Sequence, residues 1–168
     1  ERKVPAPMRK KVITPETKPA ETKSGAFAPD ELISPYEGET AKMLDSKGEK
    51  YNFHSDWVDP AQIKGSFADE RGTKTEGFPE SFQARNFNAE KLKEIRTPFD
   101  ADKVQPNDTT PTVGSPVLWR DPRTGTYYTI AGNHRYLGGQ LENYYKPGVP
   151  RRFRSLDENF GRASKLAA

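Results

Sequence analysis

Gly132-Asn133-His134-Arg135 is the run whose residue types could most readily do chemistry. It stands where an apolar, β-branched stretch hands over to a helical pattern, so free backbone N–H groups and the positive end of a helix dipole would meet there and attract an anion. Gly132 lets an anion approach the backbone, Arg135 can add a bidentate contact, and His134 is a donor whose charge switches near neutral pH. Each residue also has a plainer reading. Asn133 before an apolar-periodic run is a common helix cap, and His134 and Arg135 are ordinary surface or intersubunit hydrogen-bonding groups. Other groupings carry less. His54 beside Asp56 and Trp57 reads as structural. Asp100, Asp102, Asp108 and Asp121 are spread over loops and predict no metal cluster for nuclease chemistry. Tyr127, Tyr128, Tyr144 and Tyr145 could stack on bases, but aromatics in a hairpin and a helix belong more often to a core or an interface. The chain has no cysteine, which excludes disulfides, zinc–cysteine and iron–sulfur ligation, and thiol nucleophiles.

Several elements must position that run. Phe82 to Phe87 reads as a short strand, followed by a helix over Ala89–Arg96 capped by Asn88 and stopped by Pro98. Val117 to Trp119 and Tyr127 to Ala131 are apolar, with turn chemistry at Asp121 to Gly125 between them, and predict a hairpin. A second helix is expected from Asn133 to about Tyr145, with Leu137, Leu141, Tyr144 and Tyr145 at helical spacing and Pro147-Gly148 as its stop. A last short strand includes Val149 and Phe153. Met43, Leu44, Tyr51, Phe53 and Trp57 are apolar spots to which the pattern assigns no firm element.

Hydrophobic residues make up 32% of the 168, with fifteen prolines and thirteen glycines, so one modest core with much loop is expected. No apolar stretch approaches the roughly 20 residues of a membrane helix, and no secretory signal pattern opens the chain. The charge is polarised: residues 1–23 carry a net +4, residues 146–168 a net +4, and residues 24–145 a net −5. The expected organisation is an extended, basic, Pro-rich arm over 1–45, an irregular lead-in over 46–77, a folded domain over 78–155 and a basic tail over 156–168. An arm of this composition cannot bury enough apolar surface to order by itself, so a neighbouring protein surface is its natural partner.

Three motifs in order carry a resemblance: Phe78-Pro79-Glu80-Ser81-Phe82-Gln83-Ala84-Arg85, Gly114-Ser115-Pro116-Val117 and Gly132-Asn133-His134-Arg135. Residues Phe78 to Leu141 resemble the ParB/sulfiredoxin superfamily, most nearly its phage and bacterial ParB-like domains. The resemblance implies a small α+β domain with a mixed sheet and two main helices. It also implies a phosphate or nucleotide cradle made of Gly132, Asn133, His134 and Arg135, with Arg85 facing it from the first strand. Two departures bear on activity. Sulfiredoxins place a cysteine nucleophile where this chain has Asn133, so peroxiredoxin repair is excluded by residue type. DNA-clamping ParB proteins continue into a helix-turn-helix region, whereas about two dozen residues follow the second helix here, too few for an independent module.

The expectation is therefore a non-catalytic accessory subunit, without a cofactor, that docks a ParB-like fold and its arm onto other protein subunits of a larger assembly. The alternative is a nucleotide-dependent ParB-like protein that binds CTP or ATP with magnesium and acts on DNA. A soluble, intracellular setting is expected, either an organelle (chloroplast or mitochondrion) or a phage particle, with peripheral contact to a membrane complex allowed by the basic ends.

Overall fold

A computed structural model describes residues 36–168 as a mixed α+β fold, one six-stranded sheet with three helices. The strands are β1 (Ala41–Leu44), β2 (Lys50–Val58), β3 (Ile63–Lys64), β4 (Val117–Arg120), β5 (Tyr127–Ala131) and β6 (Arg151–Leu156). The helices are α1 (Ala89–Arg96), α2 (Asn133–Leu141) and α3 (Phe160–Ala167). Across the sheet the order is β1-β2-β6-β4-β5-β3, with parallel pairing at β4–β6 and β3–β5 and antiparallel pairing elsewhere.

Side-chain alternation along the strands separates two cores. Met43, Tyr51, Phe53, Val117, Trp119, Tyr128, Ile130 and Leu156 face α3 and the Phe78–Phe82 segment. Val58, Leu118 and Phe153 face the opposite way, toward Tyr136 of α2 and Tyr145. A smaller cluster of Phe67, Leu92 and Leu137 joins α1 to α2. Gly138 permits the close approach of these helices, since a Cβ there would lie 2.7 Å from a methyl carbon of Ile95. No helix of the described residues is long and apolar enough to cross a membrane.

The hairpin β4–β5 and the helix Ala89–Arg96 form as the sequence predicts. Asp121 carries the hairpin turn, accepting from the amides of Thr124 and Gly125, and Asn88 caps α1 by accepting from the Lys91 amide at 3.0 Å. Other expectations need correcting. The arm expected over 1–45 lies for residues 1–35 outside the described residues, and its end is ordered as β1. The supposed lead-in holds β2, whose buried Tyr51 and Phe53 alternate with polar residues. Phe82 to Phe87 is no strand; a single 3-10 turn covers Glu80–Phe82, because Phe82 enters the α3-side core while Phe87 packs on Phe67. α2 ends at Leu141 rather than Tyr145. The chain reverses at Asn143 (φ 63°) and lays the Tyr145 ring over Gly139, where a Cβ would lie 2.3 Å from it. The basic tail is instead the end of β6 followed by α3, which buries Ala163, Leu166 and Ala167.

Between α1 and β4, residues 105–116 lack a strand or α-helix, and two arginines organise them. Arg154, with no exposed surface, donates all five N–H groups: to the carbonyls of Asp108 (2.8 Å), Thr110 (2.7 Å), Val113 (2.6 Å) and Ser115, and to the Ser115 hydroxyl (3.2 Å). Burial, and then the neighbouring Arg135, pull its pKa down to about 10, which still leaves it charged at neutral pH. Arg154→Met is expected to lower unfolding stability by about 3 kcal/mol or more, since it strands buried carbonyls. Tyr145→Phe should do the reverse by roughly 1 kcal/mol, because its buried hydroxyl has no partner among the described residues. Urea unfolding of both variants against the wild type tests this. An unchanged midpoint for Arg154→Met would contradict the role given to that guanidinium.

Candidate functional site

The fold brings the sequence-predicted site residues to one cleft of about 100 Å³, at the start of α2. Gly132, Asn133, His134 and Arg135 line it with Arg85, and Lys91, Pro111 and Thr112 complete the polar rim. Phe82, Ile130, Leu166 and Ala167 form its apolar side. Residue order alone could not supply Lys91 or the α3 residues, which come from elements far along the chain. Arg85 reaches the cleft from the loop before α1 and not from a strand.

Most side-chain donors and acceptors of the predicted cradle are already committed to the protein. Gly132 takes a left-handed conformation (φ 79°, ψ 32°) that a side chain would strain, and it is itself the residue that precedes the helix. The space above it is filled by Arg135, whose guanidinium would lie 2.6 Å from any added Cβ. Asn133 is the first helical residue rather than the cap. Its Oδ1 turns inward to accept from the Ser66 amide at 2.9 Å and from the Thr129 hydroxyl. His134, 7% exposed, accepts at Nε2 from the Asn88 amide at 2.9 Å, which places its proton on Nδ1 and ties the start of α2 to the cap of α1. Burial, followed by the surrounding cations Lys91, Arg85, Arg135 and Lys74, holds its pKa below the ordinary value. Each nitrogen of the Arg135 guanidinium donates to a carbonyl: Nε to Gly114 (2.8 Å), Nη1 to Thr112 (2.9 Å) and Nη2 to Pro111 (2.8 Å).

What remains for a ligand is small. Arg85 and Lys91 present exposed cationic side chains, and the first-turn N–H groups of α2 have no helical acceptor. Drug-sized ligands occupy pockets of about 300–1,000 Å³. The cleft therefore matches an inorganic anion far better than a nucleoside triphosphate. Comparison with protein-family models, with curated proteins and with solved structures finds no match.

The other groupings separate cleanly. Tyr128 and Tyr145 are core residues, while Tyr127 and Tyr144 are half-buried against the second core. Asp100 caps a 3-10 turn over Ala101–Val104, and buried Asp121 holds the hairpin turn with Arg123. Among the described residues no three His, Asp or Glu side chains group as metal ligands do. His54, by contrast, sits in a denser setting than its sequence neighbours suggest. Its Nδ1 lies 2.9 Å from Asp157 and its Nε2 3.7 Å from Asp56, with the Tyr36 ring stacked on it at 3.5 Å. Burial lowers its pKa, but the bonds to Asp157 and then Asp56 outweigh that and lift it to about 9.

The two histidines therefore titrate on opposite sides of their ordinary value near 6.5. His54 binds its proton more tightly when folded, so its stabilisation is complete below pH 6.5 and fades as pH rises toward 9. His134 is held neutral, so folding loses its contribution as pH falls below 6.5. NMR titration of the two imidazole signals should show one midpoint near 9 and one below 6.5, and Asp157→Asn should bring the upper one down. Two midpoints near 6.5 would rule out the His54–Asp157 pairing.

Proposed function

We propose that the chain is a non-catalytic accessory subunit, which presents a ParB-like fold and its N-terminal region to other protein subunits of a larger assembly, in an organelle or a phage particle. The carrying observation is that the turn resembling a phosphate cradle is used internally: Arg135 holds three loop carbonyls, His134 the amide of the residue that caps α1 and Asn133 two further donors. A cradle whose side chains are spent on its own fold supports a structural role for the motif. The net −5 of residues 24–145, flanked by basic ends, supports docking of the fold to protein surfaces over clamping of a DNA duplex.

One observation favours the nucleotide-dependent, DNA-processing reading, namely that Arg85 and Lys91 converge on the start of α2. Isothermal calorimetry with CTP and ATP in the presence of magnesium decides between the two. The docking reading expects no saturable heat at millimolar nucleotide from the folded chain. Micromolar binding that disappears in Arg85→Ala, a substitution that removes an exposed side chain and keeps the carbonyl that accepts from Lys74, would replace it with the nucleotide reading.

A further inference from the structure

We propose that the end of the β2–β6 ribbon, built from Trp57, Arg152, Arg151 and Tyr144, binds single-stranded nucleic acid. This surface is separate from the cleft at α2 and does not depend on the docking role. Trp57 is 64% exposed, more than Tyr36, Leu44 or Val113, the other exposed large apolar residues of the described chain. It is the last but one residue of the sheet's longest strand, on the face that buries Tyr51 and Phe53 further along. Its cross-strand partner is Arg152, whose guanidinium lies 5.9 Å from the indole centroid and donates to the Ser55 hydroxyl at 3.2 Å. Arg151 points to the opposite face, 3.8 Å over the Tyr144 ring, and donates to the Tyr144 carbonyl at 3.0 Å. Two aromatic–arginine pairs thus wrap the same strand ends, and exposed Lys146 lies in the loop that enters β6.

Charge supports an anionic partner. Neither Arg151 nor Arg152 meets a carboxylate among the described residues, whereas Arg96, Arg123 and Arg162 each pair with an acid. The acids closest in sequence are committed elsewhere. Asp56 accepts the Trp57 amide and faces His54, and Asp59 accepts the amides of Ala61 and Gly148. The open indole face decides which anion. An unpaired base can stack on it while its phosphates meet the guanidinium groups, a combination sequence-tolerant enough for single strands. A duplex offers no free base face, and an acidic peptide would satisfy the arginines but leave the indole uncovered.

The test titrates the full chain with labelled oligo(dT) and oligo(rU), following anisotropy and intrinsic fluorescence. The chain has two tryptophans and Trp119 is buried, so quenching reports Trp57. Expected are saturable binding with quenching, affinity that falls with salt, and about tenfold weaker binding for Trp57→Ala. Arg151→Ala/Arg152→Ala should flatten the salt dependence, and Arg85→Ala should leave binding unchanged. Absence of binding overturns the proposal, as does affinity that survives Trp57→Ala and so resides elsewhere, for example in the basic residues 1–23. Quenching by polyglutamate without quenching by either oligonucleotide also overturns it, in favour of an acidic protein partner.

Discussion

Seven consecutive-region carbonyls, those of Asp108 and of residues 110 to 115, end on the guanidinium groups of Arg154 and Arg135. Backbone without a strand or helix cannot be buried unless its polar groups find partners, and no ladder is on offer to this loop. Two arginines with ten N–H groups between them solve that problem, at the cost of burying two like charges, burial and then Arg135 lowering the basicity of Arg154. Carbonyl dipoles carry the hydrogen-bonding side of the compensation, and the Asp108 carboxylate adds a favourable charge to both. The rest of the architecture inherits this constraint. Arg154 belongs to β6 and Arg135 to α2, so the loop fixes the strand at the centre of the sheet to the helix on its face. Leu44 of β1 adds a third tie through its amide to the Thr109 carbonyl at 2.9 Å.

The same accounting explains the sheet order. β6 lies between β2 and β4 with Arg154, Ser155 and Leu156 buried, although Arg-Arg-Phe-Arg-Ser-Leu reads by hydropathy as a charged surface segment. It tolerates that position because its charges leave the sheet in three ways. Arg154 is saturated by the loop, while Arg151 and Arg152 lie at the ribbon end over Tyr144 and Trp57. Trp119 of β4 adds a bond from its indole N–H to the Glu158 carbonyl at 2.8 Å, which brings the chain past β6 into position to begin α3. Arg162 of that helix then pairs with Glu49 and Glu158 and covers the Tyr51 ring.

How much of this could be read from the sequence follows from which interactions are local. The β4–β5 hairpin and α1 were legible, because a turn at Asp121 to Gly125 and a cap at Asn88 act within a few residues. The convergence of Gly132 to Arg135 with Arg85 was legible from motif order, though the first contact from a strand was not, since two phenylalanines five apart serve different cores. β2 left a signal in the alternation of Tyr51 and Phe53 that His54 and Ser55 obscure. β6 and α3 were hidden for a physical reason. Their burial rests on an arginine that finds its acceptors about forty residues upstream and on alanines that matter only against β5 and the Phe82 turn, and neither leaves a periodic trace.

The motif at the start of α2 shows how one set of residues can look like a binding site and act as a joint. An arginine, a histidine and an asparagine after a left-handed glycine have the donors and acceptors to hold a phosphate, and they also have what is needed to hold four chain segments at once. Here Asn133 reaches Ser66 and Thr129, His134 reaches Asn88, and Arg135 reaches Pro111, Thr112 and Gly114. An incoming anion would have to replace hydrogen bonds that are already charge-assisted or buried, and each bond lost would leave a backbone group or the Thr129 hydroxyl without its partner. That competition sets a threshold any ligand must exceed, and the cleft is too small to offer a large ligand enough contact area to exceed it. Arg85 and Lys91, which join no such network, are the residues through which an anion could still be felt. No such threshold guards the exposed ribbon end, where the Trp57 ring is open and Arg151 and Arg152, bonded to the Tyr144 carbonyl and the Ser55 hydroxyl, meet no carboxylate among the described residues.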